Sequence, residues 1–277
     1  MIQTGLVSVT FRGLTPREII DLVAEAGLDG IEWGGDVHVP HGEVATAQEV
    51  REMTEAAGLA LPSYGSYYRA GESDPDLFDG VLACAQALET PVIRIWAGRK
   101  GSAEADAAYW DSVVVDSLRC QRMAAAAGMR LAYEYHGNTL TDTDAAAARL
   151  MGQVSDAGIT TYWQMRGGET HAAMTAGLRA MLPWLTHIHI QSRAPGAAGN
   201  ERAPLAAMAD TWTTWLTLAA QAPGDHYAML EFVKGDDPAQ FLADAAELNR
   251  ISESVILSSQ PPTTETYPRR PPCHIQS

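Results

Sequence analysis

Cysteine is scarce in this chain: Cys84, Cys120 and Cys273 are three in 277 residues, an odd number without the spacing of a metal cage or a disulfide framework. That scarcity points to a reducing, cytoplasmic setting. Long apolar runs are missing as well, since none approaches the ~20 residues that span a bilayer. The opening MIQTGLVSVTFRGL has no basic segment followed by an apolar core, so no secretory leader is read there. Cations are few: 19 Lys and Arg against 34 Asp and Glu give a formal net charge of −15. Such a balance repels phosphate backbones and anionic lipid, so neither nucleic acid nor membrane is expected as a partner. A small neutral substrate fits better, and a homo-oligomer is compatible with the composition. The phosphate-cradling glycine loops that accompany many open α/β sheets are also absent.

What is present is alternation. Eight short β-type runs, TGLVSVT, GIEW, ALPSYGS, VIRIWAG, RLAYEYHG, TTYWQM, LTHIHIQ and YAMLEFV, are each followed by an Ala-rich helical segment. Start signals such as TPREI, with Pro16 in the first turn, and DDPAQF mark several helices. Eight strand–helix units in about 250 residues predict a closed (β/α)8 TIM barrel, α/β in class and one domain spanning residues 1–250. Residues 251–277, rich in Pro, Ser and Thr, are expected to form an irregular or disordered tail, to which no function is assigned.

In such a barrel the C-terminal strand ends build the active site. Side chains alternate between the two faces of a strand, so in LAYEYHG Glu134 and His136 share one face. The same alternation groups His187 with His189 and sets Gln164 opposite Trp163 and Glu231 opposite Leu230. Burying several ionisable groups in one mouth is costly unless a cation or close pairing compensates. Two carboxylates (Glu134, Glu231), an imidazole (His189) and an amide oxygen (Gln164) suit Mn2+, Mg2+ or Co2+, with Zn2+ less favoured. With Gln164 neutral, two carboxylates leave a divalent site at net zero charge, of lower affinity and higher Lewis acidity than a third carboxylate would give. Glu32, His38 and His136 are candidate hydrogen-bond partners for the hydroxyls of a small ligand, and Trp33, Tyr68 and Trp96 candidate covers for its apolar faces. Glu32 and Arg94 fit either a substrate contact or a structural ion pair. Arg94, Arg69 and Arg99 are candidate anion contacts. His187, deeper in its strand, reads as a hydrogen-bonded core histidine.

At GLDGIEWGGDVHVPHG, LAYEYHG, HIHIQ and MLEFV the sequence resembles the sugar-phosphate isomerase/epimerase family of xylose-isomerase-like TIM barrels over nearly its whole length. The resemblance implies a metal held by a Glu of strand five, an Asp of strand six, a His of strand seven and a Glu of strand eight. These roles fall on Glu134, His189 and Glu231, while Gln164 stands where the Asp is usual, and Gln191 and Ser192 stand where many members have Lys-Asp. It also implies that Arg202, after strand seven, contacts the reacting centre. The expected reaction is isomerisation or epimerisation of a small carbohydrate by α-proton abstraction, with Glu134 and Glu231 as base and acid. Alternatives are a dehydratase or lyase on a polyol or keto-acid, and a noncatalytic sugar-binding barrel.

Overall fold

The computed structural model describes residues 2–193 and 201–259. Eight parallel strands close on themselves in sequence order: β1 (Ile2–Val7), β2 (Gly30–Gly34), β3 (Tyr64–Arg69), β4 (Val92–Trp96), β5 (Arg130–Tyr133), β6 (Thr160–Gln164), β7 (Leu185–Ile190) and β8 (His226–Leu230). Between them run α1 (Pro16–Glu25), α2 (Val44–Ala56), α3 (Leu77–Ala87), α4 (Ala107–Ala126), α5 (Asp144–Val154), α6 (His171–Met181) and α7 (Ala209–Ala219), with α8 (Pro238–Ser259) last. The (β/α)8 expectation is met.

The helices begin where local chemistry satisfies their free N–H groups. Thr15 and Glu18 form a capping box at α1, and Asp106, Thr143 and Thr170 accept the third backbone N–H of α4, α5 and α6. Two apolar clusters result from the strand alternation. The larger lies between sheet and helices, and the smaller, including Val7, Val92, Ala132, Tyr162, Tyr227 and Met229, fills the barrel interior.

Two boundaries differ from the sequence reading. α8 continues to Ser259, so residues 251–259, counted with the irregular tail, are helical. Ile251 and Val255 explain why, because both are buried in the core beneath that helix. The rest of the expected tail, with Cys273, lies outside the described residues. In β3 the pairing with β4 shifts register between Gly65 and Arg69, and Tyr67 adopts a left-handed backbone (φ 57). That irregularity changes which tyrosine faces the mouth.

His187 is the buried core histidine expected. The Tyr227 backbone N–H donates to its Nδ1 (3.1 Å), which fixes the neutral ring with its proton on Nε2. Burial pushes its pKa down to about 3. The unfolded chain therefore binds a proton below pH 6.5 that the fold refuses until about 3, and stability falls as pH drops through that window. At pH 4.5 the loss from this group is about 3 kcal/mol. His187→Gln keeps an acceptor for Tyr227 and should make the acid limb of a urea-denaturation stability profile shallower by about one proton; an unchanged limb would remove His187 as its cause.

Candidate active site at the barrel mouth

A cavity of about 600 Å3 opens at the C-terminal strand ends. Glu134 and Glu231 line it, and beneath them Glu32, Arg94 and His189 form a buried polar layer. Arg94, from β4, is the central cation. Its Nε donates to Glu32 Oε1 (2.7 Å) and its Nη1 to Glu134 Oε2. Gly65 beside it is required by this close approach, since a Cβ there would lie 2.5 Å from Arg94 Nη2.

Glu32 also accepts from Ser63 Oγ (2.6 Å) and Tyr162 Oη (2.7 Å). Burial opposes its charge, but Arg94 and His189 hold its carboxyl far below the ordinary range. Burial likewise opposes the guanidinium charge, yet Glu32 raises Arg94 well above the ordinary arginine value. Of the two readings open in the sequence, the pair is a buried structural bridge beneath the cavity.

Above it, His189 of β7 lies between carboxylates. Its Nδ1 is 3.4 Å from Glu231 Oε2 and 3.7 Å from Glu134 Oε1, and its Nε2 is 3.5 Å from Glu32 Oε1. Neither ring nitrogen makes a hydrogen bond among the described residues. Burial works against an imidazolium, but Glu231 and Glu32 push His189 up to about 9. For Glu231 the same logic reverses: burial raises its pKa, and the charges of His189 and Arg94, with the hydrogen bond from Gln191, hold it below the usual carboxylate range.

The residues fit a divalent cation. Glu134, His189 and Glu231 each offer a ligand atom, all within 4.8 Å of one another. Three buried carboxylates face the Arg94 guanidinium and the His189 imidazolium, an excess of one negative charge, and a divalent ion would replace the ring proton at the Nδ1 beside Glu134 and Glu231.

Gln164, expected to ligate through its amide oxygen, is placed differently. Its Nε2 donates to Glu134 Oε1 (3.4 Å) and to the Tyr135 carbonyl, while its oxygen accepts from Gln191 Nε2 (3.1 Å). Acceptors on the Glu134 side take its NH2 end, and its oxygen is given to Gln191. Gln191 completes the bridge by donating to Glu231 Oε2 (2.6 Å).

Among the expected substrate contacts, Trp96, His136 and Arg202 line the cavity. Trp96 is held flat between the Arg69 guanidinium (3.7 Å from the ring centroid) and the stacked His136 ring (4.2 Å), and its N–H is given to Glu134. Three others are not there. Trp33, opposite Glu32 on its strand, points outward and donates to Thr54 Oγ1 of α2 (3.2 Å). Tyr68 is turned outward by the β3 irregularity, bonding Asp116 of α4 (2.9 Å) and packing on Phe78, while Tyr67 takes the place at the mouth. His38 is buried against Ser8 Oγ (2.9 Å) and the Leu14 carbonyl (3.2 Å), bracing a loop. Of the candidate anion contacts, Arg94 lies in the floor and Arg69 under Trp96, and neither they nor Arg99 line the cavity. Sequence reasoning passed over Arg12, Arg166 and Arg193, which line it and stand in loops beyond the strand ends where period-two alternation gives no signal.

No curated protein sequence matches the chain. Among solved structures, the probable 3-DHS dehydratase AsbF of Bacillus anthracis is similar at 19% identity and TM-score 0.73, covering 90% of this chain and 98% of that one. A xylose isomerase domain protein from Alicyclobacillus acidocaldarius subsp. acidocaldarius is similar at 17% identity and TM-score 0.67, covering 92% and 100%. A D-psicose 3-epimerase is similar at 17% identity and TM-score 0.66, covering 92% and 99%. At these identities the likeness is one of fold. The family of xylose isomerase-like TIM barrels matches residues 20–249, so the chain belongs to that family.

Proposed function

We propose that this protein is a metal-dependent isomerase or epimerase of a small hydroxylated carbonyl compound, working by transfer of the proton α to the carbonyl. The observation that carries this reading is the buried His189 ring, unbonded at both nitrogens, between the carboxylates Glu134 and Glu231 at the barrel mouth. A divalent ion held by Glu134, His189 and Glu231 would supply a Lewis acid that polarises the substrate carbonyl.

The two carboxylates are not equivalent. Glu134 receives the Arg94 guanidinium, the Trp96 N–H and the Gln164 amide, whereas Glu231 receives a single amide N–H from Gln191. More donors make a poorer proton acceptor, so Glu231, held ionised, removes the α proton. Glu134, which shares His189 Nδ1 with Glu231 (3.7 and 3.4 Å), is the second carboxyl, assigned to the opposite face of the substrate. Return of a proton to that face inverts the centre. Delivery to the neighbouring carbon isomerises the substrate. His136, stacked on Trp96, and Tyr67 bound the cavity and exclude water from the reacting carbon.

Dehydration is the second reading. It uses the same proton abstraction followed by loss of a β-hydroxyl, and the fold likeness to a protein described as a probable dehydratase spans 98% of that chain.

The test is proton exchange with solvent. Metal-loaded protein in D2O, given ketoses, aldoses, and uronic and keto-acids, should wash out the α-hydrogen NMR signal of one substrate class and should not do so after chelation. A protein that holds its ion but exchanges no hydrogen across the panel would be a binding barrel instead.

A further inference from the structure

Glu32 is the buried acid that the proposed reaction leaves unused. It lies beneath the cavity without lining it, so neither the substrate's proton nor a place at the mouth falls to it. Its charge is nonetheless kept in a fully buried position, and three donors hold it there. Arg94 Nε reaches Oε1 (2.7 Å), while Ser63 Oγ (2.6 Å) and Tyr162 Oη (2.7 Å) both reach Oε2. A carboxylate offers about four acceptor positions, shared between its two oxygens. One position on Oε1 is left.

The group that approaches it is His189. Nε2 of that ring is 3.5 Å from Glu32 Oε1, whereas Nδ1 faces Glu231 Oε2 (3.4 Å) and Glu134 Oε1 (3.7 Å). The two nitrogens therefore look at different carboxylates. Nε2 is buried without a hydrogen bond among the described residues, and a small turn of the ring would give it one. Tyr162 braces both partners: its ring packs edge-on against the imidazole (4.9 Å between centroids), and its hydroxyl is given to Glu32.

Charge points the same way. With the ring proton displaced by a divalent ion, that ion, Glu134, Glu231 and the Arg94 guanidinium sum to one positive charge, which Glu32 brings to zero. Without Glu32 the buried set would stay cationic.

We propose that Glu32 is a positioning residue for the metal centre: its Oε1 takes the Nε2–H of His189 and so fixes the ring with Nδ1 presented to the ion. A carboxylate that takes the outer N–H of a metal-bound imidazole sets its tautomer and orientation and raises its basicity. Arg94, which anchors Glu32 and also binds Glu134, sets the spacing between the acid behind the imidazole and the acid beside it. The inference rests on the metal site of the function proposed above and adds a residue that does not touch the ion.

The experiment reads the imidazole itself. In protein with nitrogen-labelled histidine, loaded with diamagnetic Zn2+, NMR should show His189 with the metal on Nδ1 and a proton on Nε2 shifted downfield by its hydrogen bond; the signal is assigned by its absence from His189→Ala. Glu32→Gln should move that proton upfield, because an amide oxygen is the weaker acceptor, and should weaken Mn2+ binding in calorimetry by about 10–100-fold. Tyr162→Phe keeps the ring but removes one donor from Glu32, so it should move the proton further downfield without loss of affinity, and it carries the test if Glu32→Gln does not fold. A metal on Nε2, or a proton signal that neither substitution moves, would overturn the proposal. So would a Glu32→Gln protein that loses stability in urea but keeps the wild-type signal and Mn2+ affinity, since Glu32 would then serve Arg94 alone. Failure here is separate from failure of the reaction. The expected shifts without hydrogen exchange on any substrate would leave Glu32 its role and reject the isomerase reading, and exchange by a protein whose ion ignores Glu32 would do the reverse. Wild-type protein that takes up neither ion would overturn both.

Discussion

Glu231→Gln is expected to lower the rate of α-hydrogen exchange by roughly 10²–10⁴-fold, the size of a general-base contribution. The substitution preserves shape and leaves an oxygen able to accept from Gln191, so the fold should persist. What disappears is the proton-accepting carboxylate. Glu134→Gln should be at least as damaging to folding as to turnover, because Arg94 would lose one of its two buried counter-charges. This contrast separates the two acids: a Glu231→Gln protein that exchanges hydrogen at the wild-type rate would assign the base elsewhere.

Arg94→Met is expected to destabilise the protein by about 3–5 kcal/mol, the cost of breaking a buried ion pair by removing one partner. Glu32 is 0% and Glu134 2% exposed, so both carboxylates would be left buried without their counter-charge. Arg94→Lys should recover little, because an ammonium cannot span Glu32 and Glu134 as the guanidinium fork does. Adding Glu32→Gln to Arg94→Met should restore part of the loss by removing one orphaned charge. Equilibrium unfolding in urea reads all of these, and a loss below about 1 kcal/mol for Arg94→Met would mean the floor is wetter than its burial indicates.

The barrel and its polar mouth were legible because both follow from periodicity. Period-two alternation put Glu134, His189 and Glu231 on inward faces, and their ligand atoms converge. The same rule, applied to β2, should have sent Trp33 outward once Glu32 faced inward, which is where the indole lies. Tyr68 failed for a different reason. The irregularity at Tyr67 shifts the alternation by one residue, and the sequence YGSYYR carries no marker for a left-handed tyrosine. Gln164 was assigned by the donors an ion accepts. Its orientation is set by the neighbours Tyr135, Glu134 and Gln191, whose arrangement is a property of the closed barrel. Arg12, Arg166 and Arg193 stand in loops, where only the folded chain brings them to the cavity.

Metal content decides the central claim. Elemental mass spectrometry on protein loaded with Mn2+ and desalted, comparing wild type with His189→Ala, should find about one ion per chain in the first and almost none in the second. Wild-type protein that keeps no ion, or a His189→Ala protein that keeps as much as wild type, would contradict a metal site built on Glu134, His189 and Glu231.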